Sequence, residues 1–274
     1  MQGGPDPKEG GEIDVHVNQR ALSQQSGMRL DSASGPRELF EALLHSMLGH
    51  WDLFKNGCLH RDVSTGNICV LKQRVQRPAV TDFEATMSIT ECIGVITDGD
   101  QAINWKLDQR ELATHRSGTL PFTSLRLLNA WQNSRVAVHT AIDDIESFLW
   151  VLIWALLASI RRRGVLLPAE QIWFHSMNAD SNLGRCGILR RITLSAASKQ
   201  ASRLICHFSS IIQTWGEFSL QAAVAIASLV AENPGEPVSL EKYTALCRGF
   251  YGKYIDAGVA ELSKLPETWA EVGL

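Results

Sequence analysis

His60, Arg61 and Asp62 stand in a row, and Asn67 follows five residues after the aspartate. Two short apolar runs come next, ICVL at 68–71 and AVTDF at 79–83, and the second leads into Asp82, Phe83 and Glu84. Separated by the polar KQRVQRP, these runs predict a small hairpin. Such a hairpin gathers Asp62, Asn67 and Asp82 at one end. Phosphoryl transfer asks for that set of groups. A carboxylate orients the attacking hydroxyl and accepts its proton, and oxygen ligands hold Mg²⁺ against nucleotide phosphates.

The elements that must hold these residues are mainly helical. Leu39, Phe40, Leu43, Leu44, Met47, Leu48, Trp51 and Phe54 recur at three- and four-residue steps, which predicts an amphipathic helix ending at Asn56-Gly57. FLWVLIWALLASI, residues 148–160, is apolar on every side and too short to span a bilayer. It reads as a helix buried in a globular core, closed by Arg161–Arg163, whose charges suit the helix C-terminus. Further helices are expected at 188–230 and from 239, where Ser239 caps a stripe of Leu240, Tyr243, Leu246, Phe250 and Tyr254. Residues 1–36, rich in Gly, Pro, Ser and charge, read as a flexible lead-in, and 84–117 as a long loop. The expected architecture is mainly α, with one small hairpin and one buried central helix, in a single unit from 37 to 274.

HRDVSTGNI, TDFEAT, RSGTLPF and DDIESFLWVLIW together resemble the fungal-type protein kinase family, over roughly residues 37–160. The resemblance implies the large C-terminal lobe of a eukaryotic-type protein kinase, transferring the γ-phosphate of ATP to protein Ser or Thr with Mg²⁺. It implies Asp62 as the base, Asn67 and Asp82 as Mg²⁺ ligands, and His60 as a brace for the loop. Arg61 would meet a phosphate or acidic group on the activation segment, and Thr119 would bond near Asp62. Asp144, with Asp143 as the alternative, would accept backbone N–H groups of the catalytic loop. Ser64 stands where many such kinases carry a lysine against the γ-phosphate. Glu84 replaces the usual glycine and predicts a stiffer loop. Arg126 replaces a glutamate that normally anchors the activation segment through an ion pair.

Only 57 residues precede Cys58, and they carry neither a Gly-rich phosphate cover nor a lysine in a β-type run. No N-terminal β-rich lobe is expected in this chain, and Mg²⁺–ATP binding by the chain alone is expected to be weak or absent. The face such a lobe would cover calls for a protein partner or substrate. The alternative is a non-catalytic binding module on the same fold. A small-molecule phosphotransferase shares H-x-D-x4-N but lacks the GTLPFTS segment.

The bulk numbers narrow the field further. A formal net charge of −3 with 45% hydrophobic residues offers no basic field for nucleic acid or an anionic membrane. Six cysteines without a CxxC pair, and a polar start without an apolar signal core, predict reduced thiols and an intracellular protein, in cytoplasm or nucleus.

Overall fold

A computed structural model describes residues 27–106, 117–178, 182–197, 200–232 and 238–274. Helix α1 (Pro36–Lys55) starts with proline at its first position, where a missing N–H costs nothing. It ends as Gly57 turns left-handed with φ of 87°. Its predicted apolar positions are buried. Helix α3 (Ala141–Arg163) opens with a capping box between Thr140 and Asp143 and closes on three arginines. Its interior, from Ala141 to Leu152, is buried on every side, as an all-round apolar helix must be.

Around α3 pack α4 (Pro168–Met177), α5 (Asn182–Ala197), α6 (Arg203–Ala231) and α7 (Leu240–Leu262), with the short α2 (Leu125–Gln132) leading into it. The core is stitched by aromatic contacts such as Phe40 with Phe208 at 5.6 Å and Trp215 with Tyr254 at 5.2 Å. By length and composition α6 is the one described helix apolar enough to cross a bilayer. Its inner face, including Phe208, Ile212 and Trp215, belongs to this core.

Two small sheets complete the described residues. β1 (Gly27–Arg29), β3 (Ile68–Gln76) and β4 (Glu91–Ile96) form one antiparallel sheet in the order β1-β3-β4. β2 (Cys58–Leu59) pairs with β5 (Ile103–Asn104) in the other. Three expectations change here. Residues 27–35 are a strand and a 3₁₀ turn rather than part of an extended lead-in, and 1–26 lie outside the described residues. The region 84–117 holds β4 and β5 rather than one loop, with 107–116 outside the described residues.

Most consequentially, the hairpin partner of β3 is β4 and not AVTDF. Ile68 pairs with Ile96 and Val70 with Gly94, with a register shift before Val75. Pro78 brings no N–H to a ladder, and Val80 and Phe83 turn down into the core instead. β4 was hidden by its glycine, which the fold requires. A Cβ on Gly94 would lie 1.9 Å from the Ala42 carbonyl oxygen, so only glycine lets β4 lie this close to α1.

Candidate active site

Residues 60–67 form the loop between β2 and β3, and the sheet register decides what faces it. Asp62 is half-buried, and its two carboxylate oxygens are aimed by different elements. Oδ1 accepts from the Thr119 backbone N–H at 2.9 Å and from the Thr119 hydroxyl at 2.8 Å. Oδ2 accepts from the Asn67 amide at 3.0 Å, and that amide also donates to the Asp62 carbonyl at 2.8 Å. The Asn67 side-chain oxygen is left as an acceptor. Ser64 is buried inside the loop, its carbonyl accepting the Asn67 N–H at 3.1 Å, and its side chain does not stand on an open, ligand-facing surface.

Arg61 holds a left-handed backbone, φ 67°, a conformation that costs a bulky residue energy and persists only where neighbours enforce it. Asp144 is one enforcer, accepting the Arg61 N–H at 3.0 Å. Its carboxylate also accepts from His50 at 2.9 Å and His139 at 2.7 Å. Burial alone would raise the Asp144 pKa, but His139 and His50 hold it well below the usual carboxylate range. The loop brace is therefore Asp144, while Asp143 serves another element. The Arg61 side chain donates to Ser117 Oγ at 3.0 Å, on the segment leading to Thr119. Gly118 lets that segment approach, with φ of 97° and room for a Cβ only 3.1 Å from the Arg61 carbonyl oxygen.

His60 ties the loop to the end of β4. Its Nε2 donates to the Thr97 carbonyl at 2.9 Å, and its Nδ1 accepts the Asp62 N–H at 3.3 Å. Burial, reinforced by His50, lowers its pKa, so the ring is neutral at pH 7 and fits this donor–acceptor pairing. Thr97 in turn donates its N–H and its hydroxyl to the Asn67 carbonyl, at 2.8 and 3.2 Å.

The residue that this register sets against Asn67 is Thr97, and Asp98, Gly99 and Asp100 follow it in the chain. Asp98 is the second strained residue here, with φ of 62°. Its carboxylate is exposed and makes no hydrogen bond or ion pair with the described residues.

Asp82 is not brought to this cluster. It lies in the connection between β3 and β4, where Lys55 Nζ holds its carboxylate at 2.7 Å and also reaches Asp52 at 3.1 Å. Partial burial works against ionisation of Asp82, but the Lys55 and Trp51 contacts lower its pKa overall. No hydrogen bond or ion pair joins it to Asp62 or Asn67 among the described residues. Glu84 likewise sits in a 3₁₀ turn of that connection, so it does not stiffen the loop beside Asn67. Sequence reading missed Asp98 because two β runs end in an aspartate, AVTDF and CIGVITDGD, and spacing alone favoured the nearer.

The end of the Thr119 segment, where Arg126 replaces the glutamate of the usual ion pair, is anchored through Asp143 instead. Arg126 pairs with Asp143 through Nε at 3.0 Å and through its second nitrogen, and Ser124 donates to the same carboxylate at 2.6 Å. The buried Arg185 caps the carbonyls of Leu120 and, at 2.5 Å, Thr123. Glu146 accepts the Leu125 N–H at 2.7 Å and the Trp150 indole N–H at 2.9 Å. Burial pushes the Glu146 pKa up to about 7, those two donors oppose the shift, and the Asp143 charge adds to it.

Chemically, the loop presents one aimed carboxylate and one carboxamide oxygen, and the unpaired Asp98 carboxylate follows the strand end that bonds Asn67. These are hard oxygen donors that fit Mg²⁺, an ion that keeps several non-protein ligands. Among the described residues no three His, Cys, Asp or Glu side chains form a preformed cage. All six cysteines are free, and burial raises each thiol pKa, so none is poised as a nucleophile.

The sequence profile of the family described as fungal protein kinase matches residues 2–156, a span that contains Asp62, Asn67, Asp98, Thr119 and Asp144. No curated protein is similar enough to the chain to count as a relative.

Proposed function

Because the chain belongs to the fungal protein kinase family, we propose that its helical body is a kinase large lobe that carries the catalytic-loop half of a phosphoryl-transfer site. The reaction is transfer of the ATP γ-phosphate to a protein serine or threonine hydroxyl. The observation that carries this reading is the join at residues 62, 67, 98 and 119. Asp62 is aimed from both sides by Asn67 and Thr119, and the β3–β4 register sets Thr97, the residue just before the unpaired Asp98, against Asn67.

In this reading Asp62 orients the acceptor hydroxyl and takes its proton as the hydroxyl attacks. The Thr119 hydroxyl fixes the Asp62 oxygen in place by donating to it. Asn67 and Asp98, rather than Asp82, hold Mg²⁺, which when bound neutralises charge on the phosphates. His60 and Asp144 position the loop, and Arg61 secures the segment that carries Thr119. Asp82 has a structural role with Lys55. The acceptor is a protein, since the Gly118-Thr119 segment approaches the base as an activation segment does. The phosphate cover and its lysine come from a small lobe outside the described residues. Six free thiols suit a reducing, intracellular setting.

The test supplies a kinase small lobe and follows labelled phosphate from ATP to protein acceptors and to choline or aminoglycosides. Protein labelling lost in Asp62→Ala and Asp98→Asn, but kept in Asp82→Asn, is the expected pattern. Labelling of the small molecules instead, or labelling that survives Asp62→Ala, overturns the reading.

A further inference from the structure

His139 is buried just ahead of α3, and both of its chain neighbours are pinned. The Val138 carbonyl accepts from Arg126 Nη2 at 2.6 Å. On the other side the Thr140 N–H and hydroxyl both donate to Asp143 at 2.8 Å. The imidazole therefore stands where a fixed backbone puts it. Its Nε2 donates to Asp144 Oδ1 at 2.7 Å, since an ionised carboxylate can only accept. That bond orients the ring and leaves Nδ1 for a second partner.

The second partner is Ser117, whose Oγ lies 3.3 Å from Nδ1. Ser117 is buried as well, and its Oγ also accepts from Arg61 Nε at 3.0 Å. A serine hydroxyl donates to a neutral ring and accepts from a protonated one, so the contact holds in either charge state. A closed circuit results. Asp144 accepts the Arg61 backbone N–H, the Arg61 side chain donates to Ser117, Ser117 meets His139, and His139 returns to Asp144.

The circuit matters for what lies two residues beyond Ser117. Thr119 aims Asp62 by donating its N–H and its hydroxyl to Oδ1. Between them Gly118 sits at φ of 97°. Glycine turns either way at little cost, so Gly118 alone does not fix where Thr119 stands. After Thr119 the segment is gripped by Arg185 at the Leu120 and Thr123 carbonyls. Before it, the Ser117 hydroxyl supplies the corresponding grip among the described residues.

We propose that His139 is a positioning residue for the transfer site, latching the segment that bears Thr119 to the Asp144 brace through the Ser117 hydroxyl, a role that rests on Asp62 being the base. With the latch open, Gly118 swings, Thr119 withdraws its two donors from Oδ1, and Asp62 is aimed by Asn67 alone.

Two substitutions separate the latch from the brace. His139→Gln returns an amide N–H to the Nε2 position, which keeps the Asp144 bond, and puts no atom where Nδ1 stood. Ser117→Ala removes the hydroxyl and leaves the imidazole intact. The assay is amide exchange of the chain without nucleotide or acceptor. In each variant the Thr119 N–H should exchange about three- to tenfold faster, as the loss of one buried hydrogen bond implies. The Arg61 N–H, held by Asp144, should exchange as in wild type. The double variant should be no faster than the faster single, because both remove the same contact. The His139 Nδ1 nitrogen resonance should move in Ser117→Ala while Nε2 stays in place, and this readout decides the matter if His139→Gln does not fold. Unchanged Thr119 exchange or an unmoved Nδ1 resonance in Ser117→Ala overturns the proposal. So does a double variant whose effect is the product of the two singles. Equal acceleration at Arg61 and Thr119 overturns it too, since His139 then serves the brace alone. No phosphate moves in this assay, so its failure leaves Asp62 as the base, and failure of the transfer reading leaves the latch measurable.

Discussion

Replacing Asp144 by alanine removes one carboxylate that accepts three buried N–H donors, from His139 at 2.7 Å, His50 at 2.9 Å and Arg61 at 3.0 Å. Each stranded buried donor costs about 1–3 kcal/mol. The histidines can shift tautomer and water can enter the space, so the sum expected is about 3–5 kcal/mol. That is a large share of the 5–15 kcal/mol that holds a typical domain together. The pH range follows from the depressed Asp144 pKa. Its folded value lies below its unfolded one, so its contribution is present above about pH 4 and lost as the pH falls further. Urea unfolding of wild type and Asp144→Ala should therefore show this gap at pH 5, and the gap should narrow below pH 4. Amide exchange at Arg61 and Asp62 should accelerate with it, because the left-handed Arg61 loses a partner. Asp143→Ala should leave those two amides protected, since Asp143 grips Arg126 and Ser124 instead. A loss under about 1 kcal/mol in Asp144→Ala, or equal exchange in the two variants, would refute the assignment of the brace.

Two further outcomes follow from buried groups. Glu146 has a folded pKa of about 7 against an ordinary 4.5, so its contribution is full below pH 4.5 and lost as the pH rises through 7. Unfolding titrations should show Glu146→Gln gaining on wild type by about 3 kcal/mol between pH 4.5 and 8, and a difference independent of pH would contradict the raised pKa. Gly94→Ala sets a methyl 1.9 Å from the Ala42 carbonyl oxygen, which is backbone and cannot swing away. At a cost of about 3 kcal/mol it should lower the melting temperature by roughly 6–12 °C, and an unchanged melt would mean that β4 does not lie on α1.

Much of this architecture was legible in the chain. The three- and four-residue steps of α1 and the all-apolar interior of α3 leave few other solutions, because each face has to be buried. The motif around Asp62 was legible for a different reason. A loop that must hold Arg61 left-handed and aim two carboxylate oxygens needs particular residues at fixed offsets. The hairpin partner was not legible. AVTDF and ECIGVI have similar β character, and what separates them is nonlocal: the approach of Gly94 to Ala42 and the missing N–H of Pro78. His50 and His139 were also missed, since 94 and 5 residues separate them from Asp144 and no local pattern links both to it.

Which acid serves Asn67 as its Mg²⁺-binding companion decides the chemistry of the site. Titrating the chain with Mn²⁺–ATP and following amide line broadening tests this even for weak binding, because a paramagnetic ion broadens its neighbours at low occupancy. Broadening centred on Asn67 and Asp98, lost in Asp98→Asn and unaffected by Asp82→Asn, is the expected result. Broadening centred on Asp82 and Lys55, or none near Asn67 at any concentration, would contradict the account.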